Sequence, residues 1–569
     1  MDFSVKTKKI PRMKQDRIVL HFDYDCFYAQ VVENSQPALR SLPLGIKQKS
    51  ILATCNYVAR NRGVRKLQAI SEAKKICPDL VLADGEDLSA FRDVSKRLYG
   101  LLRSYSWNKK VERLGLDEIF LDVTDIIAYN VGLLNANALS ESFFCLAPDD
   151  PEKGFPFDAS AFAGCVVEGT SDKQGSYENP LFVRLVLASH LARYLRLKIE
   201  EEGYTSACGI STNKLLSKLA GSVHKPRNQT TLLSFDQKDV LEFVDPHGLR
   251  KVPGIGGKIT HALESFFLGR DAGTASYTEG SAVTVGELRG HPDVSPQMLE
   301  RLLGSRPGSE RGIGEKVWAL VHGIDETEVK AAYNVPTQIS IEDTYPGLTG
   351  GLNTAAEVER EMLKLSASLL RRMYVDLTED EEADEKTPWS PTRTRRKWLA
   401  HPKTLRLSTR PKTSHNDDKP YNWGRSSRSQ PLPTFLFTGS SDTLDDEAIV
   451  AKLVREALLP MFSALNPAKD GWNIGMINIC VANMVPTAAE PGASGSGRDI
   501  SQMFRRQEDV LRDFRDSAND MGAYDVDTAE GETGVWHELD GNQACPQCGH
   551  FIPPFALAAH ERYHDLGDG

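Results

Sequence analysis

The sequence predicts a multidomain α+β protein, and three observations carry that prediction. A chain of 569 residues is too long for one hydrophobic core, so several domains are expected. Its apolar content of 40% and charged content of 26% are those of a globular protein with ordinary cores. Short apolar runs of strand type stand among long stretches of helical period, as in 18–33, 111–124 and 179–201. No run of 18 apolar residues occurs, so no membrane partner is expected. The opening MDFSVKTKKIPRMKQDR lacks the apolar core of a signal peptide. Of the nine cysteines only Cys545 and Cys548 are paired by spacing, which suits reduced intracellular thiols.

The net charge of −10 argues at first against nucleic acid. The charge is uneven, however. Residues 393–428 hold eleven lysines and arginines against Asp417 and Asp418 alone, while acids crowd into 376–386 and 508–540. A chain that is acidic as a whole can thus carry a basic face.

Residues 18–33, IVLHFDYDCFYAQVVE, read as a buried strand that runs into Asp23 and Asp25 and then a helix. Carboxylates there suit a metal site or a helix N-cap. Residues 44–70 crowd Lys47, Lys49, Arg60, Arg62, Arg65 and Lys66 around Tyr57. Tyr57 and Arg60, three apart on a helix, share a face and can clamp a phosphate; an exposed basic helix reads equally well. In Val111 to Thr124, VERLGLDEIFLDVT, Asp117 and Glu118 interrupt an apolar run. Two adjacent buried carboxylates are costly unless a cation compensates them, so the stretch fits a metal site or an acidic hairpin tip. Together with Asp23 it supplies the three acids that a two-metal site needs.

Four segments, DYDCFYAQVVE, TCNYVARNRGVRK, VERLGLDEIFLDVT and GISTNKLLSKLAGSVHKPRNQTTLL, resemble the main motifs of the Y-family translesion DNA polymerases, in that family's order and spacing. Gly115, where many members carry Ser, leans the resemblance toward the iota branch. The resemblance covers about 15–485. It implies a right-hand polymerase fold: palm over 15–26 and 88–235, fingers over 27–87, thumb over 236–332, and a little finger over 335–485. It also implies a low-fidelity DNA-directed DNA polymerase working past damaged bases in the nucleus, on primer–template DNA and deoxynucleoside triphosphates. A non-catalytic DNA-bound adaptor is the rival reading.

Residue by residue, the resemblance makes Asp23, Asp117 and Glu118 the catalytic and metal-binding carboxylates, with the Tyr24 carbonyl as a further ligand for two Mg²⁺ ions that Mn²⁺ can replace. Tyr28 matches the steric gate under the sugar. Tyr57, Arg60 and Lys225 match triphosphate contacts, and Phe27 and Lys66 are further nucleotide contacts. Gln48, Ala53 and Leu67 fall where iota-like fingers cover the templating base. Lys214 and Lys218 read either as point charges near the triphosphate or as a solvated helix face, and for Lys218 the solvated face is the better reading.

The remaining chain follows in order. Asn179 to Glu201 is an amphipathic helix, and SAFAGCVVEG resembles a short iota-like β segment. LRKVPGIGGKITHALESFF resembles a helix–hairpin–helix, where Gly254 and Gly256 let the backbone approach a DNA phosphate. From 335 a β–α–β–β–α–β order is expected, with a long helix over Asn353 to Met373, a cationic strand HPKTLRLSTRPK, a helix over Glu447 to Leu465, and a disordered insertion at 379–396. Residues 486–540 read as a disordered linker, within which DISQMFRRQEDVLRDF is a nonspecific amphipathic segment. In 541–569, Cys545, Cys548, His560 and His564 have the spacing of a tetrahedral Zn²⁺ site. This segment resembles the ubiquitin-binding finger of polymerase eta, which implies ubiquitin or a ubiquitinated sliding clamp as partner. Arg562, where that finger has Asp, counts against the partner but not against the metal.

Overall fold

The computed structural model describes residues 13–167, 177–270, 272, 282–304, 310–332, 335–345, 351–380, 396–412, 424–437, 443–468, 471–487, 543–544 and 551–552. It is a mixed α/β protein that divides into two units, Met1–Asn334 and Val335–Gly569. No helix among the described residues is long and apolar enough to cross a membrane.

The first unit opens with β1 (Val19–Tyr24) and α1 (Phe27–Ser35). In a small three-stranded sheet, β2 (Leu44–Gln48) pairs antiparallel with β3 (Ile51–Cys55). After α2 (Tyr57–Asn61) and α3 (Ile70–Ile76), β4 (Val81–Asp84) joins β2 in parallel. Next come α4 (Ser89–Arg103), the hairpin β5 (Val111–Leu114) and β6 (Glu118–Asp122), α5 (Thr124–Leu133), and a second hairpin, β7 (Ser142–Cys145) and β8 (Gly154–Phe157). The run ends in β9 (Cys165–Val167), α6 (Pro180–Glu201), β10 (Ser206–Ser211), α7 (Lys214–Ala220) and β11 (Gln229–Leu232). The main sheet has the order β5-β6-β1-β10-β11-β9. The β segment expected in SAFAGCVVEG is its edge strand β9, parallel to β11.

Period-two alternation sorts the two faces of this sheet. Leu20, Phe22 and Tyr24 of β1, with Ile119 and Leu121 of β6, enter the core beside Leu185, Leu191 and Leu195 of α6. Val19, His21 and Asp23, with Glu118 and Phe120, therefore take the other face. There Val19 and Phe120 pack on Val329, and α7 lies against β10. α7 approaches so closely because Gly209 of β10 faces it: a Cβ at Gly209 would stand 1.8 Å from the Ser217 carbonyl oxygen and 2.3 Å from the Gly221 nitrogen.

A helical part completes the unit: α8 (Gln237–Val244), α9 (Gly257–Leu268), α10 (Val285–Gly290), α11 (Pro296–Leu303) and α12 (Ile313–Leu320). Its core, which includes Val240, Leu263, Leu288, Leu299 and Val317, also takes Leu215, Leu216 and Leu219 of α7. One short helix is thus wedged between sheet and helical part, leaving its lysine-bearing side toward the carboxylates.

The second unit holds the expected order. β12 (Gln338–Thr344), α13 (Ala355–Leu377), β13 (Thr378–Asp380), β14 (Arg396–Trp398), β15 (Ala400–Pro411), β16 (Ser426–Pro431), α14 (Thr443–Leu453), α15 (Leu459–Leu465) and β17 (Ile474–Pro486) follow in sequence. The four-stranded sheet runs β12-β17-β15-β16. Its apolar face, with Ile339, Leu405, Leu407, Ile479 and Val481, shares a core with Met362, Leu369 and Leu458 from the helices. A π-helical turn at 454–458 joins α14 to α15, so the predicted single helix is two. The insertion expected to be disordered at 379–396 has paired ends: β13 and β14 form a ladder with Thr378 opposite Trp398 and Asp380 opposite Arg396. Residues 381–395 lie outside the described residues, as does most of the proposed linker. Near the C-terminus, β18 (Gln543–Ala544) pairs with β19 (Phe551–Ile552). Cys545, Cys548, His560, Arg562 and His564 lie outside the described residues.

Candidate active site

The carboxylates are brought together by strand register. Asp23 stands directly opposite Glu118 across the antiparallel β1–β6 pair. Asp117 occupies the β5–β6 turn, which Gly115 makes possible with a φ of 75°, a left-handed conformation that a side chain would resist. The turn is tied to β1 because the Tyr24 amide donates to the Asp117 carbonyl (2.9 Å). The apolar flank before the acids is less buried than expected, since Leu114 is 44% exposed. After the acids, Ile119, Phe120 and Leu121 are buried as predicted.

Two lysines close on these acids. Lys225 Nζ lies 2.5 Å from Asp23 Oδ2. Lys218 Nζ, from α7, lies 2.5 Å from Glu118 Oε2. Lys218 is therefore part of the site, which corrects its reading as a solvated helix face. Lys214 reaches Glu112 instead, at 2.9 Å. His21, two residues before Asp23 on the same face, is buried with Nε2 3.9 Å from Glu118 Oε2 and its ring 4.6 Å from that of Phe120. Neither Lys218 nor His21 was found by the sequence reading. The only available signal was their i, i+4 and i, i+2 phase with Lys214 and Asp23.

Electrostatics distinguish the two neighbouring acids. Burial, and then the charges of Asp23 and Glu118, push the Asp117 carboxyl up to about 6. Burial also raises Glu118, but His21 and Lys218 more than offset it and bring Glu118 down to about 2. Burial holds the His21 imidazole below its ordinary value, against the raising effect of Glu118.

Asp25 is held as a strut and does not cap α1. Thr205 Oγ1 and the Arg227 amide each donate to its Oδ2 (2.9 Å). The N-cap position of α1 is Cys26, and no side chain caps it.

The other predicted contacts separate. Tyr57 starts α2, which Asn56 caps by accepting from the Ala59 amide. The Arg60 guanidinium lies 4.8 Å from the centre of the Tyr57 ring and donates to the Cys55 carbonyl (3.0 Å) and Thr54 Oγ1 (3.2 Å). The two side chains are thus paired as the helical spacing required. Tyr28 stacks on Phe91 of α4, ring centroids 4.3 Å apart. Phe27 is 2% exposed and packs on Tyr24 and Tyr204. Lys66 is exposed. Gln48 donates to the Gly85 carbonyl (2.8 Å), and Ala53 lies half-buried in β3 of the same small sheet. Leu67 is 67% exposed with a φ of 63°, its amide bonded to the Leu52 carbonyl beside Ala53 (2.7 Å). Gly256 caps α9 with open space at its missing Cβ, and Gly254 takes a φ of 93° where a Cβ would press on Leu320.

Among the described residues, no three or more His, Cys, Asp or Glu side chains are already gathered into a metal-holding group. The donor chemistry nonetheless fits a divalent cation. Asp23, Asp117 and Glu118 are hard oxygen donors, and their mutual repulsion, seen in Asp117, is what such a cation relieves.

Residues 22–222 match the model of the impB/mucB/samB family. The chain belongs to that family, the Y-family polymerases. It is 31% identical over 304 residues to DNA polymerase IV of Aeromonas hydrophila, covering 51% of this chain and 69% of that one. It is 28% identical over 513 residues to human DNA polymerase iota, covering 88% of this chain and 58% of the relative. It is 40% identical over 246 residues to DNA polymerase iota of Drosophila melanogaster, covering 42% of this chain and 30% of the relative. The chain thus spans about half, or less, of the length of the iota relatives it matches.

Proposed function

We propose that this protein is a DNA-directed DNA polymerase that extends primers past damaged template bases by nucleotidyl transfer at Asp23, Asp117 and Glu118. The observation that carries the reading is the register that sets Asp23 opposite Glu118, with Asp117 in the adjoining turn tied to β1 through the Tyr24 amide, inside the stretch that matches the family. The similarity to polymerases iota and IV supports it.

Asp23, Asp117, Glu118 and the Tyr24 carbonyl would hold two Mg²⁺ ions, or Mn²⁺ in their place, which would supply activation of the primer hydroxyl and neutralisation of charge on the departing pyrophosphate. Lys225, Arg60 and Tyr57 bind the triphosphate. Tyr28, backed by Phe91, lies under the sugar and excludes a 2′-hydroxyl. Gln48, Ala53 and Leu67 cover the templating base, and Gly254 and Gly256 bring backbone amides to a DNA phosphate. In domain terms, 15–26 and 88–235 form the palm, 27–87 the fingers, 236–332 the thumb and 335–485 the little finger. The non-catalytic adaptor is the weaker reading, because the acids and the Tyr57–Arg60 pair are all in place.

The C-terminal segment 541–569 is a zinc finger with ligands Cys545, Cys548, His560 and His564, and ubiquitin or a ubiquitinated clamp is its partner. The short ladder of 543–544 with 551–552 supports a finger, since Cys545 and Cys548 fall between its two strands in sequence. A nuclear location is inferred from the human and fly relatives.

Primer extension by the full chain in Mg²⁺ tests the function. Asp117→Ala with Glu118→Ala should abolish extension while primer–template binding persists. Extension by that double variant would sink the carboxylate assignment.

A further inference from the structure

We infer that Lys225 is a resident counterion that competes with the metal for Asp23, so that nucleotide binding opens the metal site by drawing this lysine away. The inference rests on the proposed carboxylate site and goes beyond it, because it couples two ligands through one side chain. Three observations carry it. Lys225 Nζ sits 2.5 Å from Asp23 Oδ2, a position that a dication ligated by Asp23 must contest. The backbone around Lys225 is pinned: the Arg227 amide donates to Asp25 Oδ2 (2.9 Å), and His224 Nδ1 bonds Thr230 Oγ1 (3.0 Å). The lysine therefore moves by its flexible four-carbon stem alone, and its side chain is only 29% exposed. Lys225 is also the cation proposed for the triphosphate, and one ammonium cannot fully serve both partners.

The exchange conserves charge. Lys225 leaves the carboxylate of Asp23 for a phosphate oxygen, and the dication takes the vacated carboxylate oxygen. In the absence of nucleotide the ammonium shields Asp23 and weakens metal binding. Metal and nucleotide are thus positively coupled, and the coupling is reciprocal. Lys218 pairs with Glu118 at the same distance but is not among the groups proposed for the triphosphate, so the exchange is assigned to Lys225.

The test is Mn²⁺ binding by the full chain without DNA or nucleotide, followed by the electron paramagnetic resonance signal of free Mn²⁺. Thermal unfolding checks that each variant is folded. Lys225→Met should tighten Mn²⁺ binding about fivefold or more, the low end of ordinary coupling, while Lys225→Arg should stay within about twofold of the wild type. Asp23→Asn should lose the binding. Mn²⁺ binding by Lys225→Met no tighter than wild type, with Asp23→Asn still abolishing it, overturns the exchange and leaves the carboxylate site standing. Unchanged binding in Asp23→Asn overturns the carboxylate reading and the exchange with it.

Discussion

Asp117 shows most directly what the site costs the fold. Its carboxyl is raised to about 6 by burial and by two neighbouring acids, so above that pH the metal-free protein holds an unfavourable charge. The sign follows from linkage. A raised folded value means that this group's contribution to stability falls as pH climbs from the unfolded carboxylate range through about 6. Asp117→Asn removes the repulsion. At neutral pH without divalent metal it should stabilise the fold by about 1–2 kcal/mol, discounted for partial exposure, while abolishing extension. Calorimetric melting with a chelator present checks this, and a lower melting temperature than wild type would refute it. Asp23, Asp117, Glu118, Tyr57 and Arg60 were legible because each sits in a motif with its own chemical reason. Lys218 and His21 were not. Their role depends on which strand and helix face the acids, and that pairing joins residues about a hundred positions apart.

Among elements, α7 is the hinge of the arrangement. Its leucines enter the helical core and Lys218 meets Glu118, yet nothing in KLLSKLA alone reveals that both sides are used. Contact with β10 depends on Gly209, where a Cβ would collide with backbone that has no room to move. Gly209→Ala should cost about 3 kcal/mol or more by forcing α7 off the sheet. Denaturant unfolding checks that value, and a change below about 1 kcal/mol would mean that α7 yields. The strands and long helices of both units were readable from period alone. The π turn at 454–458 and the β13–β14 ladder were not, because the first continues a helical pattern without interruption and the second is paired across a charged insertion.

At the scale of the whole molecule, the acidic net charge gave the least guidance, because acids and bases are segregated along the chain. The order of elements in the four-stranded sheet and its helices followed the sequence pattern. The proposed C-terminal finger makes a separate prediction. The full chain should carry about one zinc per molecule, and Cys545→Ala should lose it. Metal analysis of both proteins decides the point, and zinc retained by the variant would remove Cys545 from the ligand set.

The central claim is that Asp23 and Glu118 on the sheet, with Asp117 in the adjoining turn, perform templated nucleotidyl transfer. Its most direct test is single-nucleotide addition to a primer–template whose binding to the full chain has first been measured. The account predicts addition directed by the template base that requires Mg²⁺ or Mn²⁺ and stops when the metal is chelated. Bound primer–template with no addition in either metal would contradict it.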